Sequence, residues 1–287
     1  GKTFFLGCTA RALRENGLSR TVVKVENEES AQKLGRPMGT YITLACEQAM
    51  TVSLETRRAL AAELAQTLRG MLPPDMKTAL VVGLGNRSVT PDSLGPRTAE
   101  RVLVTRHMGD CLPRDVPMSS VCAAAPGVLG VTGMETAEIL RGMVAHVKPD
   151  AVIAVDALAA RSSKRIASTI QITDTGITPG SGVGNHRKAL DRRTLGVPVI
   201  AVGVPLVVYA STIASDALCA LGEGEVEEER IAACVERVVS EKLGEMIVTP
   251  RDVDALVERM AGVLADGINQ ALHPSLSSSE IAQLMAQ

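Results

Sequence analysis

Short, almost wholly apolar runs alternate with amphipathic segments through the middle of the chain. Such runs are typical of strands covered on both faces, and they predict strands at 78–84, 121–125, 151–155, 169–173 and 197–204. The segment 133–147 places its apolar residues along one helical face, and a further helix is predicted at 91–107. This alternation predicts an α/β fold with a mainly parallel sheet and helices on both faces.

Both flanks of this region carry further elements. Strands are predicted at 21–25 and 41–45, at an edge of the same sheet, and a helix at 54–72. Thr249 and Pro250 indicate a helix start, because threonine caps helices and proline fits the first turn. The buried face of that helix is predicted to contain Val253, Leu256, Val257, Met260 and Leu264.

These elements predict a single α/β domain over 20–272, with additional N-terminal strands and C-terminal helices. Residues 222–229 are acidic and are expected to be exposed. Residues 274–279 have the composition of a loose segment, so we expect 273–287 to form a C-terminal tail.

Composition narrows the functional classes. The 287 residues include no Trp, two Tyr and two Phe, so the core is aliphatic and lacks rings on which nucleotide bases could stack. The net charge of −2 gives no electrostatic footprint for direct nucleic-acid binding, and no apolar run is long enough to span a membrane. The six cysteines show no zinc-ligand spacing, which favours a reduced cytoplasm.

Two aspartates follow buried strands. Asp92 comes after the strand at 78–84, and Asp156 comes directly after the one at 151–155. Each has a structural interpretation: Asp92 at a helix start, Asp156 as the cap of a turn. However, the carboxyl ends of strands in open α/β sheets are where ligands bind, and one βα unit separates these two strands. We therefore expect both carboxylates to face one cleft.

A carboxylate pair of this kind can perform acid/base hydrolysis. A helix start favours the charged form of Asp92, whereas an apolar strand favours the neutral form of Asp156. We accordingly assign Asp92 as the base that activates water and Asp156 as the proton donor. The reverse assignment stays open.

A glycine-rich loop at 176–188 is the third candidate region, and it contains Gly182, His186, Arg187 and Lys188. Its amides and cationic end are suited to an anionic group or an oxyanion, although a plain surface connection has the same composition. A single loop histidine such as His186 is more often a polar surface residue than a catalyst. Elsewhere, Gly83-Leu84-Gly85 lacks the third glycine of a dinucleotide fingerprint, so nicotinamide chemistry is discounted.

Several motifs resemble those of the germination protease of spore-forming bacteria. They include Gly83-Leu84-Gly85-Asn86 and the segment 90–96 around Asp92. The remaining matching segments occur in the same order along most of the chain, at 33–37, 41–44, 125–128, 132–138, 156–161, 174–177, 179–185, 212–216 and 248–250.

The resemblance implies an endopeptidase that degrades small acid-soluble spore proteins at germination. It also implies a zymogen that processes itself, a homotetramer, a location in the cytoplasm of the spore core, no cofactor, no metal, and a fold similar to hydrogenase maturation proteases. Two family aspartates thought essential fall on Asp92 and Asp156. Because the family cuts next to acidic residues, Arg161, Arg187 and Lys188 are candidates for substrate recognition. Asn86, Gly182 and His186 are candidates for supporting roles.

The chain departs from the family pattern in three places. Residues 1–19 match poorly, the segment 217–248 is short, and Tyr209 stands where an acid is expected. Two other functions stay open. One is a metal-dependent protease that uses Asp92, Asp156 and His186, and the other is a nonenzymatic binding protein on a degenerate protease scaffold.

Overall fold

The computed structural model describes residues 3–5, 8–15, 17–46, 53–111, 118–180, 188–221 and 246–286. The strands are β1 Thr3–Phe5, β2 Cys8–Glu15, β3 Leu18–Val25, β4 Gly39–Cys46, β5 Thr78–Gly83, β6 Ser120–Ala124, β7 Ala151–Ala160, β8 Thr169–Thr173, β9 Val199–Tyr209 and β10 Ile247–Val248. The helices are α1 Glu28–Leu34, α2 Leu54–Met71, α3 Leu94–Ala99, α4 Leu129–Thr132, α5 Thr136–Val147, α6 Arg192–Leu195, α7 Ala210–Leu221, α8 Val253–Leu272 and α9 Ser278–Met285.

All described strands belong to one sheet, in the order β1-β2-β3-β4-β8-β9-β7-β5-β6, with β10 added beside β9. The strands β6, β5, β7 and β9 are mutually parallel. From β9 outward through β8, β4, β3, β2 and β1, each pair is antiparallel. The α/β class, with N-terminal strands and C-terminal helices, is confirmed, and the sheet is mixed, with parallel pairing on one side only.

The short connection between β7 and β8 explains why β8 runs antiparallel to its neighbour β9. Residues 161–168 between β7 and β8 form a short turn with a 3₁₀ segment at Ser163–Arg165. A parallel return would need a crossover of a dozen or more residues, so the chain comes back antiparallel instead. As a result, β8 pairs with β9 with Gln171 opposite Gly203.

Two helical layers cover the sheet. On one face, α2 packs Leu60, Leu64 and Leu68 against the apolar face of α8. Gly267 allows this close approach, because a Cβ atom there would lie 2.7 Å from the Leu64 side chain. On the other face, α5 packs Leu140 and Val144 against the parallel strands. The core is therefore aliphatic on both sides of the sheet.

Side chains of β7 alternate between these two layers. Ile153 and Val155 belong to the α2/α8 cluster, whereas Val152 and Ala154 belong to the α5 cluster. By the same period of two, Asp156 points to the α5 face. The helices of that layer pack over the parallel strands, and towards β8, β4 and β3 this face borders a cleft.

Three sequence predictions of elements are corrected. The helix predicted at 91–107 is broken into a 3₁₀ turn at Thr90–Asp92, the short helix α3, and a 3₁₀ segment at Arg106–Cys111. Beyond α3 the chain turns inward, buries Val102 and Leu103, and pairs Thr105 with Val121. The strand predicted at 151–155 runs to Ala160, and the helix expected from Thr249 begins at Val253 with Asp252 at its cap position.

The end of the chain also differs from expectation. Ser277 and Glu280 form a reciprocal capping box that starts α9, and Ile281 on this helix is buried. The prediction of a loose segment at 274–279 is therefore wrong at its end, where Ser277 caps a helix that begins at Ser278. The acidic stretch at 222–229 lies outside the described residues. Among the helices that are described, none is both long and apolar enough to cross a bilayer.

Candidate active site

The turn that carries Asp92 follows β5. Gly85 has a φ of 110°, and the chain then folds back so that the Asn86 N–H donates to the Asp92 carboxylate at 2.7 Å. The Ser93 hydroxyl donates to the Thr90 carbonyl at 2.8 Å and closes the 3₁₀ turn. Asp92 is half-buried. The Asn86 N–H thus fixes the carboxylate, and the Ser93–Thr90 bond fixes the turn that carries it.

Glycines bring this turn against the neighbouring strand. A Cβ atom at Gly83 would lie 2.1 Å from the Gly95 carbonyl oxygen, and one at Gly95 would lie 2.5 Å from the Val155 carbonyl oxygen. The Leu84 N–H donates to that same Val155 carbonyl at 2.8 Å. The start of α3 therefore sits directly on the ends of β5 and β7, which explains the Gly-Leu-Gly motif without a dinucleotide.

Asp156 lies within β7 and is 5% exposed. One of its oxygens accepts the N–H of Ala157 at 2.9 Å. Its neighbour in the sheet is Gly203 of β9, and a Cβ atom at Gly203 would lie 2.4 Å from the Leu158 side chain. Just beyond, the pairing of β7 with β9 shifts register between Leu158 and Ala159.

Asp92 and Asp156 line one cleft of about 970 Å³. Its floor is the exposed part of the sheet face, including Gly203 of β9, Gln171 of β8 and Thr43 of β4. These strands were paired by tertiary folding, since β4 and β8 are far apart in sequence. The two aspartates therefore line the same cleft, Asp92 from the turn after β5 and Asp156 from within β7.

The other predicted site residues are distributed differently. Asn86 donates its backbone N–H to Asp92 and accepts from the Ser88 N–H at 3.0 Å, so it shapes the turn. Arg161 follows β7, is exposed, and lines the cleft. Lys188 is exposed and directly precedes Ala189, which lines the cleft. Gly182, His186 and Arg187 lie outside the described residues.

Both ends of the glycine-rich loop are attached at the cleft. Ile177 and Leu190 exchange backbone hydrogen bonds at 3.0 and 2.7 Å. Gly176 has a φ of 79°, and a Cβ atom there would lie 2.2 Å from the Leu190 carbonyl oxygen. Asp191 then caps α6. The described ends of this loop therefore form one wall of the cleft, as Thr178 and Gly180 also line it.

Two further arginines, which the sequence did not identify as site residues, line the same cleft. Arg36 follows α1 and lies over the Tyr41 ring, 5.4 Å from its centroid. Arg165 belongs to the 3₁₀ turn after β7. Arg36 stands in a matching family motif and Arg165 in a basic run with Arg161, but only the folded chain brings them together. Three guanidinium groups thus accompany the two carboxylates.

A metal site among the carboxylates was one alternative. In the part of the chain that the structure describes, no group of three or more His, Cys, Asp or Glu side chains is arranged to hold a metal ion. The proposed third ligand, His186, lies outside that part. The metal-dependent alternative therefore stays a prediction.

A scan against family models matches the germination protease family over residues 5–221 and 218–285. The match begins inside the segment 1–19, for which we expected little similarity. The two matched stretches overlap at residues 218–221, inside the segment 217–248 that we expected to be shorter than in the family. Tyr209, the third departure, ends β9 and pairs with Ile247 of β10.

Known proteins with similar sequences carry the same description. The germination protease of Clostridium acetobutylicum is 44% identical, over 91% of this chain and 86% of that protein. Those of Caldanaerobacter subterraneus and Bacillus mycoides are 42% and 38% identical, over 97% and 93% of this chain and 92% and 87% of those proteins. A NiFe hydrogenase maturation protease from Thermococcus kodakarensis aligns in structure with a TM-score of 0.37 and 17% identity, over 70% of this chain and 98% of that one. From the family match and these sequence relatives, the chain belongs to the germination protease family.

Proposed function

We propose that this protein is an endopeptidase that begins the degradation of small acid-soluble spore proteins at germination, using Asp92 and Asp156 to activate water. The observation that supports the proposal is that both aspartates line one cleft, where the pairing of the neighbouring parallel strands β5 and β7 ends. Membership of the germination protease family supports the reaction class.

In the proposed mechanism, Asp92 removes a proton from a water molecule whose oxygen attacks the peptide carbonyl carbon. Asp156 protonates the carbonyl oxygen as the tetrahedral intermediate forms. Collapse of that intermediate breaks the C–N bond: Asp92 gives the water proton to the leaving amine, and Asp156 takes back a hydroxyl proton as the carbonyl re-forms. The Asn86 N–H holds the carboxylate of Asp92 in place, and the Ala157 N–H holds that of Asp156. The two roles can also be exchanged without changing the chemistry.

The walls of the cleft support a substrate with acidic residues. Arg36, Arg161 and Arg165 present guanidinium groups, which bind carboxylates through paired hydrogen bonds. None of these three makes an ion pair with another residue in the described ranges. Apolar side chains such as Leu34 and Val89 are exposed at the same cleft. An extended segment with acidic and apolar side chains fits this combination.

The proposal extends to properties that the family resemblance implies. The protein would be made as a zymogen that processes itself, would assemble as a homotetramer, and would act in the cytoplasm of the spore core. Its reaction would need neither a cofactor nor a metal ion. Intact-mass measurement after incubation and the mass of the assembly in solution would test the first two properties directly.

The central experiment follows cleavage of a purified small acid-soluble spore protein by the parent chain and by Asp92→Asn and Asp156→Asn. We expect each substitution to lower kcat by at least about 10²-fold, the usual contribution of a general acid or base. Asp150→Asn is the matched control, because Asp150 binds the Lys77 and Thr78 amides at the opposite end of the same strands. It should keep the parent rate.

Three results would contradict the proposal. Equal cleavage by the parent and both variants would indicate a contaminant or a different site. Loss of parent activity on chelation, restored by a divalent metal, would favour the metal-dependent alternative. No cleavage of acid-soluble spore proteins by the folded parent, together with tight binding of another ligand, would favour the binding protein.

A further inference from the structure

The loop after β7 brings two of the cleft arginines to the substrate side. It begins with Arg161, and its 3₁₀ turn Ser163–Arg165 ends with Arg165. Both arginines line the cleft. The connection from β7 to β8 is short, so the direction of both side chains depends on how this turn is held.

One carboxylate oxygen holds the first half of that turn. Oδ2 of Asp216 accepts from the Ser163 N–H and from the Ser163 hydroxyl, each at 2.7 Å, and from the Ser162 hydroxyl at 3.2 Å. Asp216 lies on α7, which follows β9 directly. The second half of the loop is held by the backbone, because the Ala167 N–H donates to the Pro205 carbonyl at 2.7 Å. The loop is therefore anchored to α7 through Asp216 and to β9 through Pro205.

Asp216 itself is not one of the residues that line the cleft. It belongs to the family motif at 212–216, which the proposed mechanism does not use. Hydrogen bonds from Ser163 hold the pKa of the Asp216 carboxyl below its usual range. The group is therefore ionised at neutral pH, where charge-assisted hydrogen bonds to serine are strongest.

We propose that Asp216 is a positioning residue: through Ser162 and Ser163 it fixes the turn that carries Arg161 and Arg165, and so sets how tightly the cleft binds an acidic substrate segment. This inference rests on the proposed function for the identity of the substrate. It does not depend on which aspartate is the base, because Asp216 acts on binding and not on the reacting atoms.

The test compares two peptides with each variant, one with acidic residues beside the cleavage site and one in which they are replaced by glutamine. Asp216→Ala should raise KM for the acidic peptide about tenfold, equivalent to one charge-assisted contact, and leave kcat close to that of the parent. KM for the glutamine peptide should change little. Asp216→Asn retains an acceptor oxygen for the Ser163 N–H, so its KM should fall between those of the parent and Asp216→Ala.

Ser163→Ala tests the same contact from the other side. It removes one of the three hydrogen bonds and leaves the carboxylate in place, which makes it the milder change. If Asp216 acts through this turn, the effects of Asp216→Ala and Ser163→Ala on KM should be less than additive in the double variant. Full additivity would contradict the proposal. Should Asp216→Ala fail to fold, Ser163→Ala and Asp216→Asn carry the test.

Binding can be measured separately from cleavage. In an Asp92→Asn background, the Kd of the acidic peptide should rise about tenfold on Asp216→Ala, the same factor as KM. If the parent does not cleave but this shift in Kd is present, the proposed chemistry fails and the positioning role stands. An unchanged Kd, or equal weakening for the acidic and glutamine peptides, would overturn the positioning role.

Discussion

Gly85 shows how a single residue determines the position of Asp92. Its φ of 110° lies in a region that residues with side chains rarely adopt. A Cβ atom there would lie 2.1 Å from the Asp92 carbonyl oxygen and 3.0 Å from its carboxylate. The glycine is therefore required both for the backbone direction and for the space that the aspartate occupies.

Gly85→Ala should lower both stability and activity. We expect a loss of about 1–3 kcal/mol in the free energy of unfolding, the usual effect of a strained backbone position, and a large fall in kcat as Asp92 is displaced. Denaturant unfolding and peptide cleavage measure the two effects. Gly142→Ala is the matched control: this exposed glycine of α5 has open space around it, so alanine should stabilise the helix by roughly 0.5–1 kcal/mol at unchanged activity. A Gly85→Ala variant with parent activity would contradict our account of the turn.

At this scale, Asp92 and Asp156 could be identified from the sequence because each follows an apolar strand, whereas Arg161 is implied only by the family resemblance. Arg36, Arg165 and Asp216 could not be identified in either way. Arg36 lies just before β4 and reaches the cleft because β4 pairs with β8 in the folded sheet. Asp216 meets Ser163 across more than fifty residues of chain. Such contacts have no local pattern from which they could be predicted.

Between elements, the most consequential contact joins α8 to the start of α3. The Glu258 carboxylate accepts hydrogen bonds from Arg97 and Arg101 of the α3 region. Arg97 in turn donates through Nε to the Ser93 hydroxyl at 3.0 Å, and Ser93 closes the Asp92 turn. A C-terminal helix thereby supports the turn that carries Asp92, which lies far away in sequence.

Glu258→Gln should reduce activity more than stability. The ion pairs are partly exposed, so we expect a loss of at most about 1 kcal/mol in the free energy of unfolding. The kcat should fall several-fold as Arg97 and Ser93 lose their support. The hydrogen bond from Arg101 holds the pKa of Glu258 below its usual range, so the contact is complete at neutral pH and is lost only as the pH falls through that lowered pKa.

Asp252→Asn provides the control for this helix. Asp252 pairs with Arg259 at 3.5 Å at the start of α8, and its side chain makes no capping hydrogen bond there, so the substitution removes one partly exposed ion pair and no cap. Its activity should match that of the parent. Equal losses of kcat in Glu258→Gln and Asp252→Asn would show that the effect comes from α8 in general and not from the link to α3.

Element boundaries show where local pattern stops being informative. The apolar run of β7 ends at Val155, so the sequence placed Asp156 after the strand. Backbone pairing with β9 nevertheless continues to Ala160, because hydrogen bonds between strands do not depend on side-chain polarity. The helix predicted at 91–107 failed for a related reason, since burial of Val102 and Leu103 and the pairing of Thr105 with Val121 turn the chain away.

At the scale of the whole molecule, a buried histidine at the end of α8 makes the stability of the fold depend on pH. His273 is fully buried, and its Nε2 atom lies 3.4 Å from the Leu103 carbonyl oxygen. Among the described residues, its Nδ1 atom has no hydrogen-bond partner. Burial holds the pKa of this imidazole below its ordinary value. The folded protein therefore keeps His273 neutral where an unfolded chain would protonate it.

The sign of the effect follows from proton uptake. Below about pH 6.5 the unfolded chain binds a proton that the folded protein does not, so stability should decrease as the pH falls. One such proton contributes at most about 1.4 kcal/mol per pH unit. Unfolding free energies of the parent and of His273→Gln, measured between about pH 5.5 and 7.5, test this. The parent should show the steeper decline, and parallel curves would contradict the assignment.

The sequence by itself determined the α/β class, the aliphatic core and the family, and it singled out two aspartates that follow apolar strands. These features are encoded locally, because hydrophobic periodicity and short motifs depend on neighbours within one or two turns of chain. Only the tertiary structure decided that the sheet is mixed, that β4, β8 and β9 form the floor of one cleft, that Arg36 and Arg165 line it, and that Asp216 holds the turn beside it. Those features come from contacts between segments that are distant in sequence. Packing of the whole chain selects which segments pair, and local preference does not.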